Sequence, residues 1–147
     1  MIRLKNARII DPAAKRDAVG DLYVRDGKIV DSLPVAARKR ARIVDGTGLV
    51  ACPGLVDVHV HFREPGLEHK GDLATESAAA VAGGITSFMD MPNTSPPTLD
   101  RDALEDKYRR AANRAWGNHG FYMGTSTGNI DHIRAIDSVI VAAFFEE

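Results

Sequence analysis

The chain has 147 residues, with 44% hydrophobic and 27% charged side chains and a formal net charge of −1, the balance of an ordinary globular domain rather than of a basic nucleic-acid binder. Its one cysteine, Cys52, excludes an internal disulfide, and no apolar run reaches the roughly 18 residues that a membrane span needs. Met1-Ile2-Arg3-Leu4-Lys5 shows no signal-peptide pattern, so the expected compartment is the cytoplasm.

In chain order, residues 1 to about 50 carry short β-like stretches at Met1 to Leu4, Ala7 to Ile10, Asp21 to Arg25 and Lys28 to Val30. Turn signals fall at Asp11-Pro12, Gly20-Asp21 and Asp26-Gly27, and Asp-Gly between two apolar strands is a strong hairpin signal. The basic run Arg38-Lys39-Arg40 with Arg42 reads as a solvated face rather than a nucleic-acid patch, given the near-zero net charge.

From Pro53 onward strand and helix patterns alternate, which argues for parallel βα units. The first strand is Leu55 to Val60. Its Val56, Val58 and Val60 share one face, as expected of a parallel strand buried on both sides. Asp57, His59 and His61 fall on the other face, with Arg63 two residues beyond, because side chains alternate with a period of two. Two imidazoles so placed can reach one metal ion, Asp57 can orient an imidazole, and Arg63 offers a fork for a carboxylate. A lone histidine on an apolar strand is commonly a satisfied core residue. Four polar groups in this stretch fit that reading badly, since burial unpaired costs about 2 to 7 kcal/mol for each uncharged one. A strand that ends in ligands and then a loop is how a (β/α) barrel builds a site at its C-terminal mouth.

Asp72 is placed to N-cap an Ala-rich helix through Ala82, which Gly83-Gly84 stops. Ile85 to Met91 reads as a second strand, and Asp100 to Trp116 as a helix with Leu104, Tyr108, Ala111 and Ala115 on one stripe. His119 to Met123 reads as a third strand, followed by a short helix near Ile130 to Ile136 and an apolar run, Val139 to Phe145, as strand four. His69, His119 and His132 are not expected to be ligands, because two lie in polar loop or helix contexts and His119 precedes the end of its strand.

The run Pro53 to Asp72, PGLVDVHVHFREPGLEHKGD, resembles the signature of the amidohydrolase superfamily, and specifically of dihydroorotases. Asp90-Met91-Pro92-Asn93-Thr94-Ser95-Pro96-Pro97-Thr98 resembles the DMPNTxPPT segment after the second barrel strand of the same enzymes. The resemblance implies that His59 and His61 are ligands to a catalytic zinc, and that Arg63 and Asn93 hold the free carboxylate of the substrate. Asn93 read without it is equally well a turn residue between prolines. The implied fold class is α/β: the N-terminal part of a (β/α)8 metal-dependent hydrolase barrel (residues 53–147) preceded by half of a small β-sandwich (residues 1–52). Allantoinases and dihydropyrimidinases, or hydantoinases, share the fold, but their patterns usually lack Arg63 or the Asn93-Thr94 pair.

A full (β/α)8 barrel takes roughly 250 residues, so this chain has room for at most four strands and is expected to be the N-terminal third of a dihydroorotase. The family draws further ligands, including a catalytic aspartate, from later strands, and many members carry a metal-bridging lysine on the fourth. Residues 138–147 contain no lysine. Two readings of different class follow. In one, the sequence belongs to a zinc-dependent enzyme that interconverts carbamoyl aspartate and dihydroorotate in pyrimidine biosynthesis. In the other, the chain itself is catalytically inactive, a fragment or a noncatalytic partner such as those found beside aspartate carbamoyltransferase. An open sheet edge would favour a homo-oligomer in either case.

Overall fold

The computed structural model describes residues 1–136, so the strand expected over 139–145 lies outside the described residues. The chain divides into two compact units, Met1–Pro53 and Gly54–Glu147.

The first unit is one five-stranded sheet. Strands β1 (Ile2–Asp11), β2 (Arg16–Arg25), β3 (Lys28–Val30) and β4 (Arg42–Asp45) lie in the order β3-β2-β1-β4, and β5 (Val50–Ala51) also pairs with β1. A single turn of helix, α1 (Val35–Arg38), precedes β4. Where the sequence suggests two short strands before residue 11, the structure has one, interrupted by a register shift between Leu4 and Ala7 at which Asn6 adopts φ 61°. The expected turn at Gly20-Asp21 is instead the middle of β2. The Asp21 carboxylate accepts from the Asn6 backbone N–H (3.1 Å) and from Arg3 Nε (2.7 Å), so its hydrogen-bonding capacity braces the β1 bulge rather than a turn. Asp26 and Gly27 form the expected hairpin turn, both with positive φ (53° and 74°).

The second unit is a parallel sheet with helical crossovers. Strands β6 (Leu55–Val60), β7 (Ile85–Asp90) and β8 (Asn118–Phe121) lie in that order; α2 (Leu73–Ala82) links the first two, α3 (Arg101–Ala111) the next two, and α4 (Ile130–Arg134) follows β8. Asp72 caps α2 by accepting from the backbone N–H groups of Ala74 and Thr75 (2.8 Å each), with Thr75 completing a capping box. Helix α3 ends at Ala111, five residues before the sequence-based estimate: Ala112 leaves helical geometry and Asn113 takes φ 61°. Leu104 and Ala111 of its apolar stripe are buried with Phe62, Leu73, Phe88, Phe121 and Met123, and Tyr108 and Ala115 pack against this cluster.

Strand β6 departs from the expectation of burial on both sides. It is an edge of the described sheet, and Val56 and Val58 are 61% and 56% exposed. An uninterrupted apolar pattern shows that a face is suited to burial, and among the described residues nothing buries Val56 and Val58.

Several carboxyl groups titrate below their ordinary 3.8: Asp17 through its hydrogen bond from Arg8, Asp21 through that from Arg3, and Asp72 through the α2 amide of Thr75. A folded-state pKa below the unfolded one gives stability that is present above 3.8 and lost as the pH falls below it. Denaturation midpoints are therefore expected to drop between about pH 5 and pH 2, with a smaller drop for Asp72→Asn. Midpoints independent of pH in that range would contradict these assignments.

Candidate metal centre

Because β6 and β7 run parallel, their C-terminal ends lie together, and the residues that leave them form a cleft of about 210 Å³. His59 and His61 come from β6 and its end, Met91, Pro92 and Asn93 from the end of β7, Pro97 and Leu99 from the following loop, and Gly124 and Thr125 from the loop after β8. The two imidazole rings sit side by side, centroids 5.2 Å apart with planes inclined at 58°. His61 Nδ1 lies 2.8 Å from Asn93 Oδ1. An amide oxygen only accepts, so this contact places a proton on His61 Nδ1; in the neutral ring that leaves the lone pair on Nε2, the form in which histidine ligates a metal. Asp57, expected to orient an imidazole, accepts at Oδ1 from the His59 backbone N–H (3.0 Å) and so stiffens the strand that carries both rings.

Arg63 is placed differently. Strand β6 stops at Val60, and Arg63 has φ 72°, so the strict alternation that would carry it onto the histidine face does not extend that far. It does not line the cleft, and its guanidinium has no hydrogen-bond or ion-pair partner among the described residues. The structure thus brings His59, His61 and Asn93 together and leaves Arg63 beside them. Of the other histidines, His119 stacks on Phe88 (5.9 Å) and contacts Tyr108, while His69 and His132 are exposed. Among the described residues, no three His, Cys, Asp or Glu side chains converge on one point.

Residues that sequence reasoning did not single out hold this end of the sheet. Asp90, fully buried, accepts at Oδ1 from the Phe62 backbone N–H (2.8 Å) and at Oδ2 from Lys107 Nζ (2.6 Å). Lys107, also fully buried, donates as well to the Met91 carbonyl (2.9 Å) and lies 5.0 Å from the Phe121 ring. Burial pushes its ammonium below the ordinary lysine range, and Asp90 opposes that shift. Its position was visible in the pattern: Lys107 lies three residues after Leu104 and four before Ala111, on the apolar stripe of α3.

Three further anchors set the loops. Glu64, 3% exposed, accepts from both terminal nitrogens of Arg114 (2.8 and 3.2 Å) and from the Leu73 backbone N–H at the start of α2 (3.1 Å). Next to it Gly66, at φ 83°, touches the Ser95 carbonyl so closely that a Cβ there would collide with it, and Ser95 N–H donates to the Pro65 carbonyl (3.0 Å). Asn129 bonds the carbonyls of two cleft residues, Leu99 (2.7 Å) and Gly124 (2.9 Å).

Residues 50–144 match the model of the Amidohydrolase family. Among curated proteins, the chain is 46% identical over 112 residues to the dihydroorotase of Streptococcus pneumoniae serotype 4, covering 76% of this chain and 26% of that protein. It is 40% identical over 131 residues to the dihydroorotase of Streptococcus thermophilus, covering 89% of this chain and 31% of that protein. The chain therefore spans about a quarter to a third of the length of these curated relatives. Among solved structures it superposes on the L-hydantoinase (dihydropyrimidinase) from Arthrobacter aurescens with a TM-score of 0.83 at 32% identity, over 97% of this chain and 32% of that one. These likenesses fit an α/β fold with a partial barrel.

Removing one partner of the buried pair leaves the other charge uncompensated. Lys107→Met is expected to destabilise the second unit by about 3 to 5 kcal/mol, read from urea denaturation, with a large part restored in Asp90→Asn/Lys107→Met. A single variant as stable as the parent would remove the pair from the list of anchors.

Proposed function

The chain belongs to the amidohydrolase family, and on that footing we propose that it is the N-terminal portion of a zinc-dependent cyclic amide hydrolase, a dihydroorotase. The substrate is dihydroorotate, whose ring amide is opened by water to N-carbamoyl-L-aspartate and closed again in the biosynthetic direction. The observation that carries the reading is the His59–His61 pair with Asn93 on His61, in a cleft at the C-terminal ends of parallel strands. The 46% identity to a dihydroorotase supports the substrate.

The donor set suits zinc. Two imidazole nitrogens are good zinc ligands, and structural or catalytic sites take three or four protein ligands, so the remaining donors would come from outside the described residues. When bound, zinc supplies Lewis acidity and brings the pKa of a water ligand towards about 7. His59 and His61 would hold it, and Asn93 would keep the His61 lone pair available. The same Asn93 amide has its NH₂ left to donate to the substrate carboxylate while Oδ1 serves His61. Arg63, with no described partner to give up, would supply the charged half of that clamp by turning its side chain over the cleft.

On this reading residues 1–52 are half of a small β-sandwich and residues 53–147 the first βα units of a (β/α)8 barrel. The protein would act in the cytoplasm on small molecules, with the open β6 edge covered by further barrel strands or by a subunit contact. No helix among the described residues is long and apolar enough to cross a membrane.

A second reading has its own support. The L-hydantoinase likeness and the position of Arg63 outside the cleft lining favour an enzyme for uncharged cyclic amides. Substrate charge separates the two. In a complete barrel carrying this segment, Arg63→Met is expected to reduce dihydroorotate turnover far more than hydantoin turnover, and equal losses would favour the hydantoinase reading.

For the metal, zinc titration of a complete barrel carrying this segment should show binding that is lost in His59→Ala and His61→Ala. Asn93→Ala should weaken it by about tenfold to a hundredfold, the usual effect of removing a partner that orients a metal ligand. Binding unchanged in both histidine variants would exclude the metal centre.

A further inference from the structure

We propose that Lys107 and Asp90 are positioning residues for the metal centre: from the helix side of the sheet they fix the backbone on both sides of the His61–Asn93 hydrogen bond. The inference rests on the metal reading given above and adds residues to it. Its basis is a closed set of contacts. Asp90 Oδ1 holds the N–H of Phe62, the residue after His61, and the Met91 N–H donates to the carbonyl of Val60, the residue before it (2.9 Å). Lys107 Nζ holds Asp90 Oδ2 and the Met91 carbonyl, two residues before Asn93. Each half of the 2.8 Å His61–Asn93 contact is therefore tied, one or two residues away, to the same buried ion pair, the His61 side to the Asp90 carboxylate and the Asn93 side to the Lys107 ammonium.

Stability alone does not account for a lysine here. A buried ion pair replaced by apolar side chains of similar volume often leaves a protein as stable or more so. What a lysine adds is direction. Its donors reach the Asp90 carboxylate on β7 and the carbonyl of Met91, the residue after the strand, at once, and an apolar side chain at position 107 would fill the space without selecting the position of either. Lys107 does not line the cleft and touches no group placed to react, so its role is exerted through Asp90 and the backbone of Met91.

The test uses the full 147-residue chain and compares Lys107→Met and Asp90→Asn/Lys107→Met with Leu104→Ala, a core truncation in the same helix. The double variant keeps an oxygen facing the Phe62 N–H and removes the buried charge, which guards against a single variant that does not fold. Two readouts are taken on folded protein. The first is the ¹⁵N shifts of the His61 ring, which report the tautomer without any metal. The second, taken on the same variants in a complete barrel carrying this segment, is zinc affinity by chelator competition, with the visible spectrum of the cobalt-loaded protein.

In the parent, His61 is expected as the Nδ1–H tautomer. In the double variant the tautomers should mix, zinc binding should weaken by about tenfold or more, and the cobalt bands should shift, while Leu104→Ala changes only stability. A double variant that keeps the parent tautomer, affinity and spectrum would overturn the positioning role. A parent that holds the tautomer but binds no zinc or cobalt would overturn the metal reading instead, and the ¹⁵N comparison would still decide the role of Lys107.

Discussion

The second unit is organised around a charge that has been taken out of water. Lys107 and Asp90 are both fully buried, 2.6 Å apart, and between them they engage the residue after His61 and the first residue of the loop that carries Asn93. Desolvating such a pair costs several kcal/mol for each ion, and the mutual attraction repays this only if the remaining donors and acceptors are also satisfied. Asp90 meets that condition at both oxygens and Lys107 through the Met91 carbonyl, and no buried side-chain polar atom among the described residues lacks a partner. The register of β6 against β7 shifts between Leu55 and Val56 and again between Asp57 and Val60. Regular pairing therefore does not by itself fix where the β6 end sits; the Asp90 contact to Phe62 and the Met91 N–H bond to Val60 do so together, at a point where the ladder is irregular.

The loops above the sheet follow the same logic with different groups. Glu64 is a buried carboxylate that joins the loop after β6 to the first turn of α2 and to Arg114 beyond the end of α3. The Leu73 N–H it accepts is one of those a helix start leaves unsatisfied, and Asp72 takes two others. Negative charge there also suits the helix dipole. Gly66 and Ser95 then bring the loops after β6 and β7 into direct contact. The cleft is thus framed by backbone held from below by Asp90 and from the side by Glu64, and the histidines ride on that frame.

How much of this was legible in the sequence depends on the range of the interaction. His59 and His61 could be read because a period of two is local, and the Asp72 cap and the Asp26-Gly27 turn because each needs only its neighbours. Arg63 could not be placed by the same rule, since the strand ends at Val60 and a left-handed backbone follows. Gly20-Asp21 looked like a turn because its residue types favour turns; a carboxylate occupied by Arg3 and the Asn6 amide has no such preference to express. Lys107 stood on an apolar stripe in plain view, but its partner is 17 positions away, and nothing local says that a lysine there meets a carboxylate rather than water. Val56 and Val58 read correctly as an apolar face, and only the sheet order shows that no described element covers it.

Asn93 shows why local and distant constraints must agree at one residue. As a turn residue it is accounted for by Pro92 and by the bonds that close its loop, Thr94 N–H to the Pro92 carbonyl (2.8 Å) and Thr98 N–H to the same carbonyl (2.9 Å). Those bonds set the loop shape without involving the Asn93 side chain, which leaves its amide to face the cleft and meet His61. Any short polar residue would satisfy the turn; an acceptor for an imidazole N–H and a donor pointing elsewhere require an amide. An aspartate would offer a stronger acceptor but no donor, and its negative charge would oppose a carboxylate substrate. On the proposed reading, a neutral amide between a metal-ligating histidine and an anionic substrate is compatible with both, which would tie the choice of residue at position 93 to the charge of the molecule that the cleft receives.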